Sequence, residues 1–131
     1  MKTLFLLVAR GGSKGIKNKN LSLIQNKTLL EFKIIAGLQS QYCNEIIIST
    51  DDIEIAKEAE RNGAKYLFRR PDELAQDSSS TKDVILHAIN LLEKDFQKTY
   101  QAVMLLEPSS PFTRPKDYDE AIKIMIKENL D

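Results

Sequence analysis

Short unbroken apolar runs, Leu4–Ala9, Ile46–Ile48 and Ala102–Leu106, stand at intervals along the chain. Between them lie longer stretches in which apolar residues recur every three or four positions. Runs with no polar alternation read as strands covered on both faces, and the three-to-four spacing reads as helices with one apolar stripe. Thr28 is placed to cap a first helix whose Leu30, Ile34 and Leu38, with Ile35, share a face. The pattern breaks at Gln41–Asn44, and Ile46–Ile48 predicts a β-branched strand ending in Ser49-Thr50-Asp51. Asp51 or Asp52 then starts a second helix, with Ile55, Ala56 and Ala59 inward and Glu54, Lys57, Glu58 and Arg61 outward. Gly63 is placed to end it in a left-handed conformation. Ala64–Phe68 predicts a third, short strand and Arg69–Ser79 a loop. Ser80, with Asp83 three residues on, has the form of a capping box. The helix that follows carries Ile85, Ala88, Ile89, Leu92 and Phe96 on one stripe, which leaves His87 off it and exposed. After a fourth strand at Ala102–Leu106, Pro115 suits the first turn of a last helix with Tyr118, Ala121, Ile122 and Met125 inward. The order β-α-β-α-β-α-β-α predicts an α/β fold, a doubly wound, mostly parallel sheet whose helices are long enough for right-handed crossovers. Residues 1–131 read as one domain, with no internal repeat, low-complexity tract or linker.

At 131 residues and 42% hydrophobic, the chain is long enough for a proper core. Nineteen basic and nineteen acidic residues cancel, which argues against a general attraction to nucleic acid or membrane. Cys43 is the single cysteine, so no intrachain disulfide can form, and a reducing compartment is expected. The apolar start is too short for a signal peptide and runs into Arg10, and no stretch is long enough to span a bilayer. A cytoplasmic protein is expected.

Against this neutral background the stretch after the first strand stands out. Residues 10–20 hold three glycines, Gly11, Gly12 and Gly15, and four basic residues, Arg10, Lys14, Lys17 and Lys19. Glycine lets the backbone approach a ligand closely, and successive N–H groups in such a turn form a concavity for anions. The basic side chains supply charge for a polyphosphate. Open α/β sheets bind ligands at the carboxyl ends of their strands, where this loop is predicted to lie. Its spelling fits neither the P-loop nor the dinucleotide fingerprint.

Ala9-Arg10, Ser13-Lys14-Gly15 and Lys19-Asn20 resemble, in identity and spacing, the signature of the sugar-acid cytidylyltransferases, the acylneuraminate (CMP-sialic acid) synthetase family. Ser49-Thr50-Asp51, Arg70-Pro71 with Glu73-Leu74-Ala75 and Asp77, and Leu105–Pro111 resemble further segments of that family. The resemblance implies a Rossmann-like nucleotide-diphospho-sugar transferase fold. It implies nucleotidyl transfer from CTP to a nonulosonic acid (sialic, legionaminic or pseudaminic), giving a CMP-sugar and pyrophosphate, with Mg²⁺ bridging phosphate oxygens. By the same resemblance Arg10 and Lys19 are the catalytic pair, neutralising triphosphate charge. Ser13 and the Gly11 and Gly12 amides, beside Ala9 and Lys14, would cradle the phosphates. Asn20 would orient ribose or phosphate, Arg70 would close over the nucleotide with Thr81 helping to hold it, and Glu107 would read the base. Capping accounts for Asp51 and Asp52, so neither is read as catalytic.

Glu107 departs from the glutamine the family places against cytosine. Ionised glutamate only accepts hydrogen bonds, whereas glutamine accepts and donates. Guanine, with a ring N–H beside an amino group, would suit a carboxylate, so GTP is a rival to CTP. The family's Ser-Pro-Leu-Arg is altered to Ser110-Pro111-Phe112-Thr113-Arg114, moving the arginine by one position. Other sugar nucleotidyltransferases and a non-catalytic nucleotide-binding fragment are the alternatives. The sequence closes within a helical pattern, Ala121–Leu130, so a domain truncated at its C-terminus is expected. The resemblance places the metal-binding aspartates beyond Asp131. A self-associating, homo-oligomeric fragment with little transfer activity is the expectation.

Overall fold

Thr3–Val8 forms β1, the central strand of a three-stranded parallel sheet. The computed structural model describes residues 2–11, 23–24, 27–76, 78–108 and 114–128. β1 pairs on one side with β4 (Ile46–Ser49), Phe5 facing Ile46 and Val8 facing Ser49. On the other side it pairs with β5 (Ala102–Leu106), Thr3 facing Ala102 and Leu7 facing Leu106. With strands on both sides and helices on both faces, β1 can be apolar at every position. Its alternating residues enter two separate cores, as the two-residue period of a strand requires. Phe5 and Leu7 join Leu30, Ile34, Ile55, Ala59 and Ile122, whereas Leu4 and Leu6 join Ile47, Phe68, Ala88 and Leu92. Helices α1 (Leu29–Leu38), α2 (Ile53–Arg61) and α4 (Pro115–Glu128) therefore cover one face, and α3 (Thr81–Phe96) covers the other.

The predicted third strand is reduced to one bridge. Lys65 pairs in parallel with Ile47, donating to Ile46 O (2.8 Å) and accepting from Ile48 N (3.0 Å). The segment returns to the β4 end at Arg70, whose N donates to Thr50 O (2.9 Å). Among the described residues this segment has a strand neighbour on one side only, so nothing forces Tyr66 and Leu67 into the ladder. Counting it, the four parallel stretches lie in the order third, second, first, fourth. The direction of winding reverses between β1 and β5. That is the switch point at which open α/β sheets bind ligands.

Most helix signals act as the sequence predicts. Thr28 Oγ1 caps α1 by accepting from Glu31 N (3.0 Å), and Ser80 Oγ caps α3 by accepting from Asp83 N (3.1 Å). Gly63, at φ +106°, closes α2: its N–H reaches Glu60 O and that of Ala64 reaches Ala59 O, the paired bonds of a Schellman motif. The buried face of α1 is turned from the predicted one, with Leu30, Lys33, Ile34 and Gly37 in and Leu38 42% exposed. Gly37 explains the rotation, because a Cβ there would lie 2.8 Å from Ile46 Cδ1 and 3.1 Å from Leu106 Cδ1. The bare backbone seats directly on the sheet and carries Leu38 outward over Gly63.

Glu58, expected outside, is buried and ion-paired with Arg61. Ala121, expected inside, is exposed, while Tyr118 and Ile122 carry α4 into the core. Met125's side chain lies outside the described set. His87 is half-buried rather than exposed, its ring packed edge-on against Phe68 at 5.5 Å between centroids. A short antiparallel pair, β2 (Leu23–Ile24) and β3 (Lys27–Thr28), precedes α1 and gave no periodic signal.

Candidate functional site

Three chain segments meet at the carboxyl ends of the strands: Ala9–Gly11 after β1, Thr50–Asp52 after β4, and Glu107 after β5. The first two are tied together. Ala9 N donates to Ser49 O (3.2 Å), extending the β1–β4 ladder by one bond. Gly11 N donates to Asp51 Oδ1 (3.1 Å). Asp52 is the cap of α2, its Oδ1 accepting from Glu54 N (2.8 Å) and Ile55 N (3.3 Å). Its other oxygen faces Gly11, where an added Cβ would stand against Oδ2 and 2.8 Å from Asp52 Cβ. Glycine is needed at position 11 for this close approach. The Gly11 amide, expected to cradle phosphate, is in this structure directed to Asp51 at the β4 end.

Arg70 also differs from expectation. Only 4% exposed, it donates from Nε to Ser49 Oγ (3.1 Å), from Nη2 to Ser49 O (2.7 Å) and from Nη1 to Leu74 O (3.3 Å). Rather than standing over the site, the guanidinium locks the end of β4 to the loop that follows Phe68. Burial holds its pKa below the ordinary arginine value; the Asp51 charge opposes that shift and the Arg10 charge adds to it. The neighbouring Arg69 pairs with Asp72 (2.8 Å). The loop is knit internally as well, with Leu74 N to Pro71 O (2.9 Å) and Gln76 N to Ser79 Oγ (3.0 Å). It delivers Thr81, exposed, as the first residue of α3.

Glu107 is exposed immediately past β5. Beneath this end of the sheet lies a residue the sequence reading missed. Lys33 is 3% exposed, with Nζ 5.9 Å from the centroid of the Tyr118 ring. Burial lowers its pKa, and the Glu107 charge acts in the opposite direction. The available signal was its place in the stripe of Leu30, Ile34 and Gly37. Arg114, displaced by one position in the motif, pairs with Asp117 (3.1 Å) at the start of α4. Gly12, Ser13, Lys14, Gly15, Lys17, Lys19, Asn20 and Asp77 lie outside the described residues. Among the described residues no group of three or more His, Cys, Asp or Glu could hold a metal ion. Asp51 and Asp52 each accept from backbone N–H groups, and the resemblance places the aspartates that would hold Mg²⁺ outside the described residues. No helix among the described residues is long and apolar enough to cross a membrane.

Comparison with known proteins gives a consistent picture. The sequence profile of the family described as Cytidylyltransferase matches residues 4–130. The CMP-N,N'-diacetyllegionaminic acid synthase of Legionella pneumophila is 41% identical over 127 residues, covering 95% of this chain and 53% of that protein. The N-acylneuraminate cytidylyltransferase of Escherichia coli O18:K1:H7 is 37% identical over 123 residues, covering 94% of this chain and 28% of that protein. The chain thus spans about half the length of the Legionella relative, or less of the E. coli one. Among solved structures, a CMP:2-keto-3-deoxy-manno-octonic acid synthetase complexed with CTP superposes with a TM-score of 0.81 at 21% identity, covering 99% of this chain and 49% of that one. A cytidylyltransferase from Leptospira borgpetersenii superposes with a TM-score of 0.73 at 19% identity, covering 97% and 50%. At those identities the structural matches establish the fold.

Proposed function

This chain belongs to the cytidylyltransferase family, and from that premise we propose that its protein transfers a cytidylyl group from CTP to a nonulosonic acid. The observation that carries the proposal is the meeting of Arg10 and Gly11 with Glu107 at the switch point of the sheet. The named legionaminic and neuraminic acid enzymes among its relatives supply the substrate class. In the proposed reaction the anomeric hydroxyl oxygen of the sugar acid bonds to the α-phosphorus. The bond from that phosphorus to the bridging oxygen breaks, and pyrophosphate leaves with the electron pair while the hydroxyl proton is lost. Such a step depends on position and on stabilising charge rather than on a protein nucleophile. Arg10 and Lys19 would neutralise the triphosphate, Ser13 and the Gly12 amide would hold it with Lys14 beside them, and Asn20 would orient it. Thr81 would meet the nucleotide from the start of α3, and Glu107 would meet the base. No step is assigned to Mg²⁺. A cytoplasmic, self-associating enzyme completes the proposal.

A second reading, with GTP as donor, rests on Glu107, which is exposed and accepts hydrogen bonds only when ionised. Pyrophosphate release separates the two. The whole protein is incubated with CTP or GTP and with neuraminic, legionaminic or pseudaminic acid derivatives. Release that needs both CTP and one of the sugar acids is expected. Release with GTP alone among the nucleotides would favour the second reading, and no acid-dependent release with either would overturn both.

A further inference from the structure

We propose that Asp51 is a positioning residue for the phosphate-binding loop, acting through the Gly11 amide. The proposal rests on the reading of residues 10–20 as the triphosphate site. A capping role does not account for Asp51, because Asp52 alone receives the free N–H groups at the start of α2. Asp51 Oδ1 instead accepts from Gly11 N at 3.1 Å, a contact between residues 40 apart in sequence. On its other side Gly11 lies against Asp52 with no room for a Cβ. The first glycine of the loop is thus fixed by a bond and by a wall.

That clamp stands on a rigid support. Ser49 O accepts from both Ala9 N (3.2 Å) and Arg70 Nη2 (2.7 Å), and Ser49 Oγ takes Arg70 Nε. Arg70, itself buried, is held by Leu74 O. The direction in which the chain leaves β1 is therefore set from β4. A loop that must present several donors to one triphosphate gains affinity when its starting point is fixed before the ligand arrives.

The acceptor atom, not the charge, does this. A carboxylate beside a triphosphate repels it, and Asp51 is tolerated because its field falls on Arg70 and Arg69. Asparagine offers the same Oδ1 without the charge.

The test compares wild type, Asp51→Asn, Asp51→Ala and Asp51→Ser, the last with a hydroxyl too short to reach. CTP is titrated by calorimetry and cytidine by NMR, and urea denaturation checks folding. Losing one part-buried hydrogen bond and the order it imposes should weaken CTP binding about tenfold in Asp51→Ala and Asp51→Ser. Cytidine, which lacks phosphate, should bind as in wild type. Asp51→Asn should match or exceed wild-type affinity for CTP and keep the Gly11 amide resonance in place. CTP affinity unchanged in all variants, or equal loss for CTP and cytidine without rescue by asparagine, would overturn the proposal. If one truncation fails to fold, the other and the asparagine variant decide. A wild-type chain that binds cytidine but not CTP would strike the triphosphate reading itself, and this proposal with it.

Discussion

In the proposed reaction Glu107 is the residue on which nucleotide choice would turn. It stands exposed at the end of β5, with the buried Lys33 near enough for the two charges to act on one another. An ionised carboxylate cannot donate to the ring nitrogen or carbonyl of cytosine, whereas an amide can. Glu107→Gln should therefore raise the ratio of CTP to GTP affinity, by about tenfold for one gained hydrogen bond. Competitive titration of the two nucleotides measures it, and an unchanged ratio would take Glu107 off the base edge. Glu107 was legible because it follows an unmistakable apolar run. The partnership of Asp51 with Gly11 was not, since it joins residues 40 positions apart through a side chain that capping already explained. Arg70 was legible as part of a motif but not in its contacts. A charged residue in a motif looks exposed until the fold shows its guanidinium turned inward among the carbonyls of Ser49 and Leu74.

At the level of elements, capping signals transferred from sequence to structure better than burial patterns. Thr28, Ser80 and Gly63 each act within a few residues, so local chemistry decides them. The buried face of α1 depends on what lies beneath it, and Gly37 against Ile46 and Leu106 turned it away from Leu38. The third strand failed for a related reason, because pairing depends on neighbours and not on the apolar content of the segment alone. Gly63→Ala tests the strongest local signal. At φ +106° an alanine is strained, and its Cβ would stand 3.1 Å from Leu38 Cδ1. A loss of about 1–2 kcal/mol in urea denaturation is expected, with the loss coming from the end of α2.

The opposite end of the same sheet carries a second ion cluster. Glu45, just before β4, pairs with Lys65 (2.8 Å) and Lys98 (2.9 Å), joining the segment after α2 to the one after α3. Hydrogen bonds from Lys65 and then Lys98 hold its pKa below the ordinary glutamate value of 4.5. A depressed native pKa means that the stabilisation is full above the unfolded value and is lost as pH falls through the native one. Denaturation midpoints should decline below about pH 4.5, and Glu45→Gln should flatten that part of the decline. An identical acid profile in the mutant would remove Glu45 as a source.

Across the whole molecule, the ion-paired support and the proposed recognition site lie at opposite ends of the sheet. The amino ends of the strands are fastened by Glu45 and its lysines, and the two faces are closed by separate apolar cores. The carboxyl ends collect Arg10, Gly11, Asp51, Arg70 and Glu107. The alternation of strands and helices followed from the apolar runs and the amphipathic stretches between them, which is why the fold class could be read early. The geometry around Gly11 joins residues 40 apart in sequence and has no local signal. Amide correlation spectra of the ¹⁵N-labelled chain during a CTP titration test most directly whether the nucleotide sits at the switch point. Saturable shifts at Gly11, Thr50 and Glu107, with Lys65 and Lys98 unmoved, are expected. Shifts gathered around Glu45, Lys65 and Lys98, or a spectrum unchanged by CTP, would show that the nucleotide does not bind there.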